Sequence, residues 1–200
     1  MQRIQDHYFQ KAKKEKYPAR SVYKLQEMDK RFRLFKRGQK VLDLGAAPGS
    51  WALYAADKVS DQGSVLAVDI KEPPVSFPGN VSFLQADIIE DTQARDQVQE
   101  AGPFHVILSD MAPNTTGIKI TDQARSLELA QEALWLGQSL LTPDASLVLK
   151  LLEGPDVPEL RREMQACFQK VKHFKPKSSR SESMELFLIG MGYRARADNS

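Results

Sequence analysis

A loop of small residues between an apolar run and a helical run is the first feature of this sequence that could do chemistry. It spans residues 45–49 and joins the apolar run Val41 to Leu44 to a helix that we expect to begin at Ser50. Small residues let the backbone approach a ligand, and the N-terminus of the next helix offers unpaired N–H groups. The glycine spacing is not the three-glycine fingerprint that cradles a pyrophosphate. The loop therefore predicts a nucleoside-like cofactor without a phosphate, with contacts from Gly45, Ala46, Pro48 and Gly49.

Two acids and a tryptophan extend this candidate cofactor site. Asp69 ends the next apolar run, about 20 residues beyond the loop, where such folds place a carboxylate that binds a ribose. Asp87 follows the third apolar run, although an acid at a strand end is equally often a helix cap or a loop residue. Trp51 either packs against the nucleoside or lies in the core, and the sequence leaves both readings open. We include all three as candidate cofactor contacts.

The elements that must position these residues follow from the hydrophobic pattern. Seven strands are predicted at Val41 to Leu44, Ser64 to Val68, Val81 to Gln85, Phe104 to Ser109, Ser146 to Leu151, Val171 to Phe174 and Glu185 to Met191. Helices are predicted at Ser21 to Phe35, Ser50 to Lys58, Asp91 to Glu100, Thr121 to Leu141 and Val157 to Lys170. This alternation predicts an α/β fold with a mostly parallel sheet. The connection 175–184 is too short for a crossover helix, so the last strand should be antiparallel.

Length and composition bound the class of protein. The 200 residues suit one domain over 1–200, with a basic N-terminal helical segment at 1–37 and a polar tail at 193–200. No apolar run approaches the roughly 20 residues that a membrane span needs, and no targeting segment is evident, so we expect a cytoplasmic protein. Cys167 is the single cysteine, which we expect to be a packed thiol, and the three histidines are scattered, so we expect no metal.

Basic residues are concentrated in two segments. Residues 1–40 carry 13 Lys/Arg against 4 Asp/Glu, and a second run without acids contains Lys170, Lys172, Lys175, Lys177 and Arg180. Two basic segments around an acidic centre suggest that a polyanion binds one face of the protein. The alternative is that these are solvated lysines of a helix and an edge strand.

Several motifs give the chain a strong resemblance to the FtsJ/RrmJ-type (RlmE family) ribose 2'-O-methyltransferases over almost its whole length. They are Ala19 to Leu25, Asp43 to Gly49, Ser109 to Asn114, Val148 to Lys150, Lys175 to Arg180 and Glu185 to Phe187. The chain departs from the family pattern at Ser50, where the bacterial enzymes often have glycine, and in the run Leu151 to Gly154.

This resemblance implies a Rossmann-like class I fold that uses S-adenosyl-L-methionine. It further implies that Lys24, Asp110, Lys150 and Glu185 form the catalytic set and that Asp110 also contacts the cofactor. Glu182 is a nearby rival for the acid, but the register of the preceding serines favours Glu185. The implied substrate is a uridine ribose in large-subunit ribosomal RNA.

Topology gives independent support for three of these four residues. Asp110 and Lys150 lie at the C-terminal ends of the fourth and fifth strands, and Glu185 opens the reversed last strand at that same edge. Lys24 must be delivered by the leading helix, which the sequence does not place. We hypothesise that Lys150 is the general base for the ribose hydroxyl. A lysine can accept a proton near neutral pH only if the pKa of its amine falls from about 10.4. Burial and a neighbouring Lys24 would promote that fall, Asp110 and Glu185 would oppose it, and the sequence leaves the balance open.

Two other functions remain compatible with the sequence. One is a methyltransferase of this fold that acts on another RNA, such as transfer RNA, or on a protein or small molecule. The other, from a different class, is a non-catalytic RNA-binding or ribosome-assembly protein that retains the fold. The basic segments disfavour a small-molecule substrate, and the complete catalytic set disfavours a non-catalytic role.

Overall fold

The computed structural model describes residues 12, 14, 15, 17–180 and 182–194. Within them the strands are β1 (Lys40–Leu44), β2 (Ser64–Asp69), β3 (Val81–Gln85), β4 (Phe104–Ser109), β5 (Leu141–Leu152), β6 (Phe168–Phe174) and β7 (Glu185–Tyr193). The helices are α1 (Val22–Phe32), α2 (Ser50–Val59), α3 (Thr92–Ala101), α4 (Lys119–Leu140) and α5 (Val157–Cys167). None of these helices combines the length and apolar character that crossing a bilayer requires.

The seven strands form one mixed sheet with the order β3-β2-β1-β4-β5-β7-β6. All neighbouring pairs from β3 to β5 are parallel, whereas β7 is antiparallel to both β5 and β6. The α/β fold with a reversed last strand is therefore confirmed. The strand order changes direction between β1 and β4, and ligands of such sheets bind at the carboxyl edge where this reversal opens a crevice.

Side chains on the two faces of the sheet enter two separate cores, because successive residues of a strand point to opposite faces. On β5, for example, Leu147 and Leu149 pack under α4 and α5, whereas Val148 packs under α1 and α2. Asp43 lies two residues after Val41 on β1, and Lys150 lies two residues after Val148 on β5, so each points to the same face as these two valines. The alternation therefore directs both charged side chains to the α1/α2 face of the sheet.

Two helices end three residues earlier than the sequence pattern predicts. Helix α1 stops at Phe32 instead of Phe35, because Arg33 adopts a left-handed φ of 56° and Asp29 accepts hydrogen bonds from the amides of Leu34 and Phe35 at 2.9 and 3.3 Å. Helix α5 stops at Cys167 instead of Lys170. The following residues join β6 on the edge of the sheet, a tertiary pairing that overrides the local helical pattern.

Candidate active site

Two lysine–carboxylate pairs lie at the carboxyl edge of the sheet. The Lys24 Nζ lies 2.6 Å from Oε2 of Glu185, and the Lys150 Nζ lies 2.9 Å from Oδ1 of Asp110. The Lys150 amine also donates to the main-chain carbonyl of Asp110. The lysine side chains are only 12% and 10% exposed, whereas those of Glu185 and Asp110 are 24% and 20% exposed. The amines are thus enclosed, and the carboxylates partly face solvent.

Each element delivers its charged residue to this edge for a simple geometric reason. Asp110 follows the last residue of β4, and its amide donates to the carbonyl of Leu44 at 2.9 Å, which ties it to the neighbouring strand β1. Glu185 opens β7, opposite Leu152 near the end of β5, because β7 runs antiparallel. Lys24 reaches the same edge from α1, which packs on this face of the sheet. All four residues of the predicted catalytic set are therefore brought together.

The electrostatics of Glu185 show that the two pairs act as one cluster. Burial alone raises the pKa of this carboxyl, but the charge and hydrogen bond of Lys24, the charge of Lys150 and the Ser183 hydroxyl together lower it below its ordinary value. The Ser183 Oγ donates to Oε2 of Glu185 at 3.1 Å. Glu185 is therefore ionised at neutral pH and holds the Lys24 amine in a fixed position.

A cleft of about 280 Å³ lies beside the cluster at the same edge of the sheet. The predicted cofactor residues that line it are Gly45, Asp69, Asp87 and Asp110. Other lining residues include Ile70, Met111, Asn114 and Leu129. Asp110 belongs to both the cleft and the charged cluster, so a ligand in the cleft would have one end next to Lys150.

The loop amides beside this cleft are already hydrogen-bonded within the protein. The amides of Gly45 and Ala46 donate to the carbonyl of Val68 at 2.9 and 3.1 Å, and the amide of Ala47 donates to Oδ2 of Asp69 at 2.9 Å. The amide of Gly49 donates to the carbonyl of Ala46 at 2.6 Å. A pyrophosphate needs such amides to be free, so this arrangement supports a cofactor without phosphate.

Comparison with known proteins decides the family. The family model described as FtsJ-like methyltransferase matches residues 17–193. The chain belongs to the FtsJ-like methyltransferase family.

Similar proteins extend this relation over nearly the full length. The chain is 55% identical to the ribosomal RNA large subunit methyltransferase E of Nitratidesulfovibrio vulgaris (strain DP4), over 97% of this chain and 96% of the relative. It is 51% identical to the protein of the same name from Lawsonia intracellularis, over 97% and 98% of the two chains.

Among solved structures, one described as a ribosomal RNA methyltransferase of Plasmodium falciparum has a TM-score of 0.79 and 25% identity, over 90% of this chain and 100% of that chain. Human methyltransferase-like protein 13 in complex with SAH has a TM-score of 0.56 and 18% identity, over 79% and 73% of the two chains. The second likeness supports the fold alone. The Rossmann-like methyltransferase fold predicted from the sequence is confirmed.

Asp69 and Asp87, the two acids expected at the cofactor, occupy different positions in this FtsJ-like site. Asp69 bridges the loop and its own strand end, because Oδ2 accepts from Ala47 and Oδ1 accepts from the amide of Lys71 at 2.8 Å. Asp87 accepts from the amides of Ile89 and Glu90 at 2.9 and 3.4 Å while lining the cleft. Asp87 thus stabilises a turn, as expected of the alternative in which it is a loop residue, and it also lines the cleft.

Gly45 and Gly49 are required by their backbones. They have φ values of 76° and 104°, in the left-handed region that other residues rarely adopt. A Cβ on Gly45 would lie 2.7 Å from the amide nitrogen of Met111, and one on Gly49 would lie 2.7 Å from a methyl of Val75. Gly45 therefore lets the loop approach the Asp110 segment, and Gly49 lets it approach the segment that follows β2.

Trp51 lies in the core and is not among the residues that line the cleft. It is 2% exposed, its ring centroid lies 5.9 Å from that of Phe187, and its Nε1 donates to the carbonyl of Ser21 at 2.9 Å. Ala46 and Pro48 belong to the loop backbone without lining the cleft. Of the two readings of Trp51, the geometry supports the core position.

Asp43 is a site residue that the sequence motif contained but that we did not single out. It is fully buried, and neither carboxylate oxygen has a hydrogen-bond partner of ordinary geometry among the described residues. Burial, and then the negative charges of Asp110 and Asp69, raise its pKa well above the ordinary value, and the amide of Ala52 offsets only part of this. The available signal was an acid inside an otherwise apolar strand.

The second basic segment is divided between an edge strand and a loop. Lys170 and Lys172 are exposed on the edge strand β6, where lysines also protect a sheet edge from unwanted pairing. Lys175, Lys177 and Arg180 are exposed on the β6–β7 loop, which leaves β6 at the edge that carries the site. In the N-terminal segment, Lys11 and Lys13 lie outside the described residues, as does the tail beyond residue 194.

Proposed function

We propose that this protein transfers a methyl group from S-adenosyl-L-methionine to the 2'-hydroxyl of a uridine ribose in large-subunit ribosomal RNA. The observation that carries the proposal is the enclosed pair Lys150–Asp110. This pair lies beside the pair Lys24–Glu185 and beside a cleft that suits a cofactor without a phosphate. The names of the full-length relatives support the substrate. The basic β6–β7 loop at the same edge fits a polyanion. We place the reaction in the cytoplasm.

The cleft fits a cofactor that carries positive charge. The charges of Asp110 and Asp69 raise the pKa of Asp43, and neither carboxylate oxygen of Asp43 has a hydrogen-bond partner of ordinary geometry among the described residues. When bound, S-adenosylmethionine supplies an electrophilic methyl group on a sulfonium, together with an ammonium group. We propose that Asp69 holds the ribose hydroxyls of the cofactor through its remaining lone pairs. Binding of the cation would favour the charged form of Asp43, so that Asp43 and Asp110 together provide the negative potential at the cationic end.

The charged cluster handles the substrate hydroxyl. A ribose hydroxyl must lose its proton as it attacks, and the Lys150 amine is paired with Asp110, which lines the cleft. We propose that Lys150 accepts this proton while Asp110 orients the amine. Lys24 and Glu185 hold the ribose on the other side. Trp51 does not touch the cofactor in this proposal and instead positions α1.

Methyl transfer from labelled S-adenosylmethionine tests the function directly. The substrates are free large-subunit RNA, assembled large subunits and transfer RNA, and the Lys150→Met variant is the catalytic control. We expect label only in large-subunit RNA, at a 2'-O-methyluridine found by nuclease digestion and mass spectrometry. Transfer to transfer RNA or to a base would refute the assigned substrate. RNA binding without transfer by the wild type would favour the non-catalytic assembly protein.

A further inference from the structure

An acidic side chain lies against the basic loop between β6 and β7. The Oε2 of Glu27 accepts a hydrogen bond from the amide of Lys177, and its Oε1 accepts one from the amide of Ser178, both at 2.8 Å. Two successive backbone N–H groups are therefore bound by one carboxylate. Hydrogen bonds to an ionised acceptor are shorter and about twice as strong as neutral ones.

Glu27 lies one turn after Lys24 on α1, so both side chains share one face of this helix. Lys24 pairs with Glu185 at the start of β7, while Glu27 holds the middle of the preceding loop. The loop itself contains two turns, in which the amide of Ser179 donates to the carbonyl of Pro176 and the amide of Ser183 donates to the carbonyl of Arg180. Helix α1 thus fixes the loop at two points close to the catalytic cluster.

The sign of the charge on Glu27 makes its position informative. Lys175, Lys177 and Arg180 of this loop are exposed, whereas Ser178 is 5% exposed and faces the protein. A carboxylate near a surface that binds phosphates weakens binding through repulsion, so electrostatics alone gives Glu27 no favourable role there. The geometry does give Glu27 a favourable role, because its carboxylate fixes the backbone from which the basic side chains project.

We propose that Glu27 is a positioning residue that holds the β6–β7 loop in the conformation that binds the phosphates of the RNA substrate. This inference rests on the proposed function and goes beyond it, because it assigns RNA affinity to an acid that does not contact the RNA. The carboxylate acts through the Lys177 and Ser178 amides.

Three variants that each remove one negative charge separate positioning from electrostatics. Glu27→Gln keeps one oxygen acceptor, Glu27→Ala keeps none, and Glu182→Gln removes a negative charge from an exposed position of the same loop. Electrostatics predicts that all three bind RNA slightly more tightly. Positioning predicts that Glu27→Ala weakens RNA binding by about tenfold, on the scale of a lost charged hydrogen bond, with Glu27→Gln intermediate. The KM for RNA should rise, while kcat at saturating RNA and cofactor affinity stay unchanged.

Hydrogen exchange of the free protein provides a second readout. The amides of Lys177 and Ser178 should exchange faster in Glu27→Ala than in the wild type or in Glu182→Gln. Unchanged or tighter RNA binding by Glu27→Ala, or unchanged exchange of these two amides, would overturn the inference. If Glu27→Ala does not fold, Glu27→Gln decides by the same criteria. Absence of RNA methylation by the wild type would instead refute the proposed function, and this inference with it.

Discussion

Replacing Lys150 tests whether its amine accepts the ribose proton. In Lys150→Met the stem remains, but in a site where the lysine is 10% exposed the Asp110 carboxylate loses its ion-pair partner and the Asp110 carbonyl loses a hydrogen-bond donor. Leaving such a partner unpaired costs about 1 to 3 kcal/mol, a minor part of the 5 to 15 kcal/mol typical of domain stability. The fold should survive, and cofactor binding should persist. Loss of the general base should slow turnover by about 100- to 10,000-fold, or roughly 3 to 5 kcal/mol of activation free energy.

Loss of an orienting hydrogen bond alone would slow the reaction by an overlapping amount, so the second substitution decides. Lys150→Arg keeps the positive charge and several donors for Asp110, yet a guanidinium cannot accept a proton near neutral pH. A true base predicts that Arg fails as badly as Met. The assay is single-turnover methylation at saturating cofactor and RNA, with the exposed Lys58→Met as a matched control. Substantial activity in the Arg variant would refute Lys150 as the proton acceptor and transfer that role to Asp110 or a water.

Three further predictions follow from the site. Asp69→Ala should weaken cofactor binding by about 1 to 3 kcal/mol, and wild-type affinity in calorimetry would contradict its role. The pKa of Asp43 is raised in the folded state, so the contribution of this residue to the stability of the folded protein falls as the pH rises. Asp43→Asn should therefore raise the melting temperature of the cofactor-free protein more at neutral pH than at pH 5. The same substitution should weaken cofactor binding. A melting temperature equal to wild type at both pH values would refute this. Reversing the charges of Lys175 and Lys177 should weaken RNA binding and flatten its salt dependence without affecting the cofactor, whereas reversing Lys170 should have a smaller effect.

The residues that the sequence placed correctly are those fixed by strand ends and by parity. Asp69 and Asp110 each lie at or next to the end of a parallel strand, and Glu185 starts a reversed one. The directions of the strands therefore suffice to bring these residues to one edge of the sheet. Lys150 is directed to the α1/α2 face by the alternation of β5. Such positions follow from periodicity and chain direction, both of which are local properties of a sequence.

The features that the sequence did not reveal depend on contacts between distant segments. No local pattern shows that Glu27 meets Lys177, or that the lysines of β6 and those of the following loop have different surroundings. The end of α5 was missed for the same reason, because the pairing of Phe168 with Tyr193 outweighs a helical pattern. Charge runs alone do not distinguish an edge strand from a ligand-binding loop.

The docking of α1 shows how the cofactor side and the substrate side of the site become one unit. Ser50 follows the cofactor loop directly, and its Oγ both accepts from the amide of Ala19 at 2.8 Å and donates to the Ala19 carbonyl at 3.1 Å. Trp51 adds the hydrogen bond to the carbonyl of Ser21. The first turn of α2 therefore holds the chain just before Lys24. A glycine at position 50 would have no hydroxyl for these two bonds, so Ser50 strengthens the link between the cofactor loop and the helix that delivers Lys24.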